Sequence, residues 1–137
     1  MKSPLDYYKQ QHTEDIHETE SAEFVNRLND LIISNLNNSD FNVDTAAREF
    51  AMSRSSFHSK VKNITGETPN NYIRVVRLCK AAELLASGKY QIVEVCYMVG
   101  FNTPSYFSKC FAEHFGMLPK DYILEIINKE QDKGKEK

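Results

Sequence analysis

Apolar residues recur every three or four positions along most of the chain, which is the period of an amphipathic α-helix. The pattern predicts helices from Ser21, over about Asp44–Ala51, Ser55–Thr65 and 69–87, then over Ile92–Val99 and 104–115, and from Pro119. Glycine and proline mark the boundaries: Gly66 suits the left-handed end of a helix, and Thr68-Pro69 and Thr103-Pro104 suit helix starts. No alternating strand pattern competes, so the expected fold class is all-α with about seven helices.

The chain repeats itself at an offset of fifty residues. The segment A-A-R-E-F-A-M-S-R-S-S-F from Ala46 is echoed by C-Y-M-V-G-F-N-T-P-S-Y-F from Cys96. Matched pairs include Ser55 with Ser105, Phe57 with Phe107, Gly66 with Gly116, Pro69 with Pro119, Tyr72 with Tyr122 and Val43 with Val93. Each copy reads as a short helix, a tight turn and a second helix, which is the outline of a helix-turn-helix.

The repeat predicts the organisation of the chain. Residues 1–20 are expected to be a flexible linker, residues 21–128 a folded domain and residues 129–137 a disordered charged tail. Within the domain, the prediction places a first helix-turn-helix at 41–67, a linker helix at 68–88, a second helix-turn-helix at 91–117 and a final helix at 118–128. The linker helix is about 28 Å long at about 1.5 Å per residue, on the scale of the roughly 34 Å between half-sites one turn of DNA apart.

The second helix of each copy has a polar outer face. Phenylalanines at helical spacing are expected in the core: Phe57 in the first copy and Phe107, Phe111 and Phe115 in the second. The outward set is then Arg54, Ser55, His58, Ser59 and Lys62 in the first copy and Ser105, Ser108, Lys109 and Ala112 in the second, with Tyr106 partly outward. Serine, histidine and lysine contact base edges or phosphates in DNA-binding helices.

The charge distribution agrees with a polyanionic partner although the formal net charge is −2. Residues 1–49 hold four basic and ten acidic side chains, whereas residues 50–128 hold nine basic and six acidic ones. Between Ser53 and Lys80 there are six basic residues and one acidic residue, Glu67. Because a polyanion responds to the local field, the acidic N-terminal part does not exclude a nucleic-acid partner.

Several other classes of function are disfavoured. Three cysteines (Cys79, Cys96 and Cys110) lie in apolar patterns without C-x-x-C spacing, so reduced core thiols in a cytoplasmic protein are expected. The N-terminus has no signal-peptide hydrophobic region, and no stretch is long enough to span a membrane. The four histidines have no metal-ligand spacing, and no phosphate-binding glycine loop or activated nucleophile is present. We therefore expect no enzyme activity and no cofactor in this segment.

Residues 41–122 resemble the AraC/XylS-type DNA-binding domain, in which two helix-turn-helix units are joined by a long helix. The resemblance rests on A-A-R-E-F-A-M-S-R-S-S-F at 46–57, T-G-E-T-P-N-N-Y-I-R-V-V-R-L-C-K-A-A-E-L-L at 65–85 and V-G-F-N-T-P-S-Y-F-S-K-C-F-A-E-H-F-G-M-L-P-K-D-Y at 99–122. It implies a transcription regulator that binds double-stranded DNA. The sequence of the repeat also resembles the C-terminal output domain of a hybrid two-component regulator. In such a regulator a kinase would lie elsewhere in a longer chain.

The resemblance implies a specific set of contacts. Base contacts are expected from Ser55, His58, Ser59, Lys62, Ser105, Ser108 and Lys109, and phosphate contacts from Arg54, Arg74 and Tyr106. Two positions depart from the family: Ala112 stands where a lysine often contacts phosphate, and Leu118 where a serine or threonine usually caps the last helix. The sequence leaves undecided whether the protein contacts RNA polymerase and whether it dimerises through the N-terminal segment or a missing partner domain. No membrane contact is expected. The competing hypothesis is a helical protein-interaction module derived from the same fold without DNA binding.

Overall fold

A computed structural model describes residues 18–38 and 40–135, which form seven helices and contain no strand. The helices are α1 (Glu18–Ser34), α2 (Val43–Glu49), α3 (Arg54–Thr65), α4 (Pro69–Ala86), α5 (Ile92–Met98), α6 (Pro104–Phe115) and α7 (Pro119–Lys135). The all-α prediction is therefore confirmed. The chain divides into two compact units, one ending at Cys79 and one beginning at Lys80, so the boundary falls within α4.

The core of the first unit is built from the apolar faces of α1, α2, α3 and the first half of α4. Phe57 and Val61 of α3 are fully buried, as their helical spacing predicts, and the rings of Phe24 and Phe50 lie 6.4 and 5.6 Å from that of Phe57. The Tyr72 hydroxyl donates a hydrogen bond to Asn29 Oδ1 at 2.6 Å, which ties α4 to α1. Tyr72 is also buried, and the burial raises the pKa of its hydroxyl.

The core of the second unit is a run of aromatic rings. Phe107 and Phe111 of α6 are fully buried, and the ring of Phe107 lies 5.2 Å from Phe101 and 5.9 Å from Phe111. The Phe111 ring continues the series to Tyr122 of α7 at 5.6 Å. Aromatic side chains at i and i+4 meet on one face of a helix, so these residues leave the opposite face of α6 to polar groups.

The predicted helix boundaries are largely confirmed by the capping contacts. Gly66 and Gly116 end α3 and α6 in the left-handed conformation, at φ 80° and 79°. Thr68 Oγ1 accepts a hydrogen bond from the Asn71 amide at 3.3 Å and so caps α4. Thr103 occupies the N-cap position of α6, but its side chain accepts no capping hydrogen bond, and the start of α6 relies on Pro104.

The repeat offset is not constant, which corrects the pairing of Val43 with Val93. The Met52 amide donates to Ala47 O, and the Phe101 amide donates to Cys96 O in the matching turn, an offset of forty-nine. The turn before α6 therefore contains one more residue than the turn before α3, and the offset of fifty holds only from these two helices onward. Val43 is buried and Val93 is 51% exposed because the two do not occupy matching positions.

Both turns end their first helix with the same pair of hydrogen bonds, but only one has a glycine at the left-handed position. Ala51 has φ 53°, where its counterpart Gly100 has φ 91°. A Cβ in this conformation costs roughly 1–2 kcal/mol. We expect Gly100→Ala to lower the free energy of unfolding by about 1 kcal/mol, measured by urea denaturation.

The reciprocal change, Ala51→Gly, is the matched control for this backbone effect. It removes the strain but adds freedom to the unfolded chain, so stability should change by less than about 1 kcal/mol in either direction. An equal loss of stability in both variants would contradict the assignment of strain to the left-handed conformation.

The ends of the domain differ from the prediction. Helix α1 begins at Glu18 instead of near Ser21, and α7 continues to Lys135, where a disordered tail from residue 129 was expected. Residues beyond 128 are rich in lysine, glutamate and glutamine, which are good helix formers, and Lys129 pairs with Glu125 at 3.7 Å. The rest of the predicted linker, residues 1–17, and of the predicted tail, residues 136–137, lies outside the described residues.

The three cysteines are buried and none of them is in a disulfide with a described residue, as expected for core thiols. The Cys96 thiol lies 3.8 Å from the Phe101 carbonyl oxygen, to which it is placed to donate, and burial raises its pKa. Cys96 and Cys110 belong to the packing of the second unit, whereas Cys79 is the last residue of the first.

Candidate nucleic-acid interface

The outer face of α3 carries the residues predicted for the first recognition helix. Arg54, Ser55, His58, Ser59 and Lys62 are all exposed, opposite the buried Phe57 and Val61. Ser55, Ser59 and Lys62 follow one another at spacings of four and three, so they form one stripe along the helix. Within the described part of the chain, the side chains of Ser55, His58, Ser59 and Lys62 make no hydrogen bond or ion pair, which leaves their polar groups open to an external partner.

Two cations of α3 already have partners inside the first unit. Arg54 Nη1 lies 3.4 Å from Asp44 Oδ1 of α2, in a pair whose side chains are both largely exposed. Lys60 Nζ lies 4.7 Å from the centre of the Phe24 ring, so it covers α1 and does not join the outer stripe. An exposed ion pair contributes little stability, so Arg54 can exchange Asp44 for a phosphate at small cost.

The outer face of α6 carries the second predicted set with fewer charges. Ser105, Tyr106 and Lys109 are exposed, whereas Ser108 and Ala112 are half-buried. The side chains of Ser105, Ser108 and Lys109 make no hydrogen bond or ion pair with described residues. Tyr106 is 48% exposed and its ring lies 5.9 Å from Phe101, so it sits beside the stripe and close to the core.

Arg74, the remaining predicted contact, lies on α4 and is half-buried. It is therefore not on the recognition helix of the first unit. Arg77 lies one helical turn later and was not predicted to have a role. Its Nε is buried and has no hydrogen-bond partner among the described residues, and burial lowers the pKa of the guanidinium.

Two exposed residues on the recognition helices were missed by sequence reasoning. Asn63 lies one turn after Ser59 on α3, and Glu113 lies one turn after Lys109 on α6. Neither side chain makes a hydrogen bond or ion pair with the described part of the chain. Continuing the i, i+4 spacing of each stripe would have found both.

The described residues show no sign of a metal centre or a membrane segment. Among them, no three His, Cys, Asp or Glu side chains are grouped so that they could hold a metal ion. No helix formed by residues 18–38 and 40–135 combines the length and the apolar character needed to cross a bilayer.

Comparison with known proteins agrees with these two helix-turn-helix units. A family model described as a helix-turn-helix domain matches residues 46–124, which is more than half of the chain. The chain is therefore a helix-turn-helix DNA-binding domain of the kind found in transcription regulators. It belongs to the AraC/XylS-type family.

Two curated relatives show where such domains occur. The chain is 39% identical over 92 residues to "Histidine kinase P4" of Formosa agariphila, which covers 67% of this chain but 7% of the kinase. It is 36% identical over 75 residues to the HTH-type transcriptional activator RhaS of Mannheimia succiniciproducens, which covers 55% of this chain and 28% of RhaS. The chain thus spans well under a third of either relative, and the kinase match is confined to the helix-turn-helix region.

Solved structures show the same fold. The C-terminal domain of AraT, a response regulator from Geobacillus stearothermophilus, is 29% identical with a TM-score of 0.66, over 74% of this chain and 84% of that one. The DNA-binding domain of the global transcriptional factor AdpA, in complex with a target DNA, is 26% identical with a TM-score of 0.66, over 72% of this chain and 88% of that one.

Proposed function

We propose that this chain is the sequence-specific double-stranded DNA-binding part of a transcription regulator, with α3 and α6 entering successive major grooves. The observation that carries the proposal is the pair of corresponding helix faces on which several polar side chains are exposed and make no hydrogen bond or ion pair with the described residues, namely Ser55, His58, Ser59 and Lys62 of α3 and Ser105 and Lys109 of α6. A helix that presents small polar and cationic groups from one stripe fits the major groove, where bases expose donors and acceptors.

The proposal assigns each predicted residue a role. Base contacts come from Ser55, His58, Ser59 and Lys62 of α3 and from Ser105, Ser108 and Lys109 of α6. Phosphate contacts come from Arg54, Arg74 and Tyr106. Lysine donates to the O6 and N7 acceptors of guanine, and serine hydroxyls donate or accept. Because His58 corresponds to Ser108 and Lys62 to Ala112, the two faces are suited to different base sequences. The site for one chain should accordingly be asymmetric.

The length of α4 supports binding across successive grooves. Its 18 residues correspond to about 27 Å at about 1.5 Å per residue. Half-sites one turn of B-DNA apart are separated by about 34 Å. The helix therefore has the scale needed to connect two recognition units that read neighbouring turns.

We also propose that the domain is the output part of a hybrid two-component regulator, acting at promoters in the cytoplasm and meeting RNA polymerase there. Support comes from the kinase relative, of which this chain covers only 7%, and from the response-regulator domain with the same fold. Immunoprecipitation of the full-length native protein should recover a single polypeptide that contains this domain and a kinase segment. Recovery of a product of only this length would count against the hybrid arrangement.

The central experiment is selection of bound duplexes from a randomised DNA pool, followed by fluorescence titration. The selected duplex should bind at least about a thousandfold more tightly than a scrambled duplex of the same length and composition. Equal affinity for the two duplexes would refute sequence-specific binding and would favour the protein-interaction module, to which the net charge of −2 gives some support. The stoichiometry of the selected complex also gives the number of copies per site.

Replacing the outer lysines tests the assignment of the recognition helices. Lys62→Ala and Lys109→Ala should each weaken binding to the selected duplex by about tenfold, because each removes a cationic donor at the groove. Lys129→Ala is the control, since Lys129 lies on α7 and pairs with Glu125. Unchanged affinity in both recognition-helix variants, with circular dichroism showing an intact fold, would reject the assignment.

A further inference from the structure

The two recognition helices have the same length but very different charge. Helix α3 has twelve residues and carries Arg54, Lys60 and Lys62 with no acidic residue. Lys60 lies over the Phe24 ring, so Arg54 and Lys62 are the cations of its outer face. Helix α6 also has twelve residues, but its formal charges are those of Lys109 and Glu113, which cancel. Attraction to the DNA backbone depends on such cations and is independent of sequence. The second helix therefore has much less of this attraction available.

Two of the charge differences between the helices lie at adjacent positions on the outer face. At the offset of fifty that holds for these helices, Lys62 corresponds to Ala112 and Asn63 corresponds to Glu113. The second copy thus lacks a cation and gains an anion on the same part of its outer face. Among the described residues no cation forms an ion pair with Glu113, although Lys109 stands where the first copy has Ser59.

The Glu113 carboxylate is exposed and takes part in no ion pair with the described residues. Lys109 lies one turn before it, but lysine four residues before glutamate is the less favourable order for a pair on a helix. An unpaired carboxylate on this face meets the phosphates of bound DNA within the screening length of about 10 Å at 0.1 M salt. Repulsion between these negative charges therefore opposes binding.

This repulsion differs between matched and mismatched DNA. Non-specific complexes are held almost entirely by contacts with phosphates, so a carboxylate on the binding face is costly there. In a matched complex the same face points to the base edges, where the cytosine amino group donates to carboxylates and offsets part of the cost. A carboxylate on the face of α6 should consequently weaken binding to the wrong sequence more than binding to the right one.

We infer that Glu113 is a specificity-determining residue that lets α6 hold DNA only where its base contacts match. Helix α3 supplies the larger share of backbone attraction together with its own base contacts, and Glu113 adds discrimination on α6. This inference rests on the proposed function, because it requires that α6 faces DNA.

The test compares Glu113→Gln with Glu130→Gln in the full chain. Both variants remove one exposed carboxylate and keep the side-chain size, but Glu130 lies on α7, outside the recognition helix. Affinity is measured by fluorescence titration at 50 mM salt for the duplex selected by the wild-type protein and for its scrambled counterpart.

Glu113→Gln is expected to raise the affinity for the scrambled duplex by about fivefold, which corresponds to roughly one contact between unit charges in water. The affinity for the selected duplex should rise by less. Discrimination between the two duplexes then falls, while Glu130→Gln changes each affinity by less than about twofold. Ala112→Lys, which restores the cation present at Lys62, should tighten both duplexes and make the dependence of log affinity on log salt steeper by about one.

Three results would overturn the inference: unchanged affinity for Glu113→Gln, an equal gain for both duplexes, or the same gain for Glu130→Gln. A wild-type protein that prefers no duplex would instead overturn the proposed function. The two failures are therefore distinguishable.

Discussion

Phe107→Ala should lower the free energy of unfolding by about 3–5 kcal/mol, because it removes a fully buried ring and leaves a cavity. Phe107 packs between Phe101 and Phe111, so its loss interrupts the aromatic series at the centre of the second unit. A typical domain is stable by only about 5–15 kcal/mol, so the substitution removes a large share of the total. Urea denaturation followed by far-ultraviolet circular dichroism measures the change.

Tyr106→Ala is the matched control for this prediction. It deletes the neighbouring ring on the same helix, but that ring is about half exposed, so the loss should be about 1 kcal/mol or less. Phe57→Ala tests the corresponding position in the first unit, where the ring is also fully buried and a loss like that of Phe107→Ala is expected. Similar stability for Phe107→Ala and Tyr106→Ala would mean that Phe107 is not central to the core.

The affinity for the selected duplex should fall about a hundredfold when salt rises from 50 to 200 mM. The proposed interface contains four cations that neutralise phosphates or enter the groove, namely Arg54, Lys62, Arg74 and Lys109. With a slope of about −0.9 per neutralised phosphate, log affinity should decline with log salt at a slope of about −3 to −4. Fluorescence titrations at four or five salt concentrations give the slope directly.

The double variant Arg54→Ala Lys62→Ala provides the internal comparison. It should reduce the magnitude of the slope by about two, since two cations no longer displace counterions. Its stability should stay close to that of the wild type, because both side chains are exposed and the Arg54–Asp44 pair contributes little. A wild-type slope near zero would contradict DNA binding by this face, and an unchanged slope in the double variant would move the phosphate contacts elsewhere.

The helices and their polar faces could be predicted from local patterns alone. The spacing of Phe57, Val61, Phe107 and Phe111 identified the buried sides, since the helical period relates sequence distance to direction. Phe115 was also expected in the core but is only half-buried. The stop at Gly66 and the start at Thr68 were equally local, because they depend on backbone conformation and on one capping side chain. The assignments of individual residues to bases and phosphates stay predictions.

Other features could not be predicted because they depend on contacts beyond the local pattern. The pairing of Val43 with Val93 was wrong because an extra residue in the second turn is visible only in its hydrogen bonds. The disordered tail from residue 129 was wrong because charge alone does not prevent a helix when lysine and glutamate pair on its surface. Asn63 and Glu113 were overlooked although they continue the i, i+4 spacing from Ser59 and Lys109.

The sequence by itself determined the all-α class, the duplicated helix-turn-helix and the polar faces of its second helices, since these follow from helical periodicity and local capping. Only the tertiary structure decided which charged side chains have partners within the protein. Lys60 lies over the Phe24 ring and Arg54 forms an exposed pair with Asp44, while Lys62 and Lys109 make no ion pair with the described residues. It also decided that the Glu113 carboxylate on α6 takes part in no ion pair with those residues. The physical reason is that the availability of a charge depends on its neighbours in space, which a helical pattern does not specify.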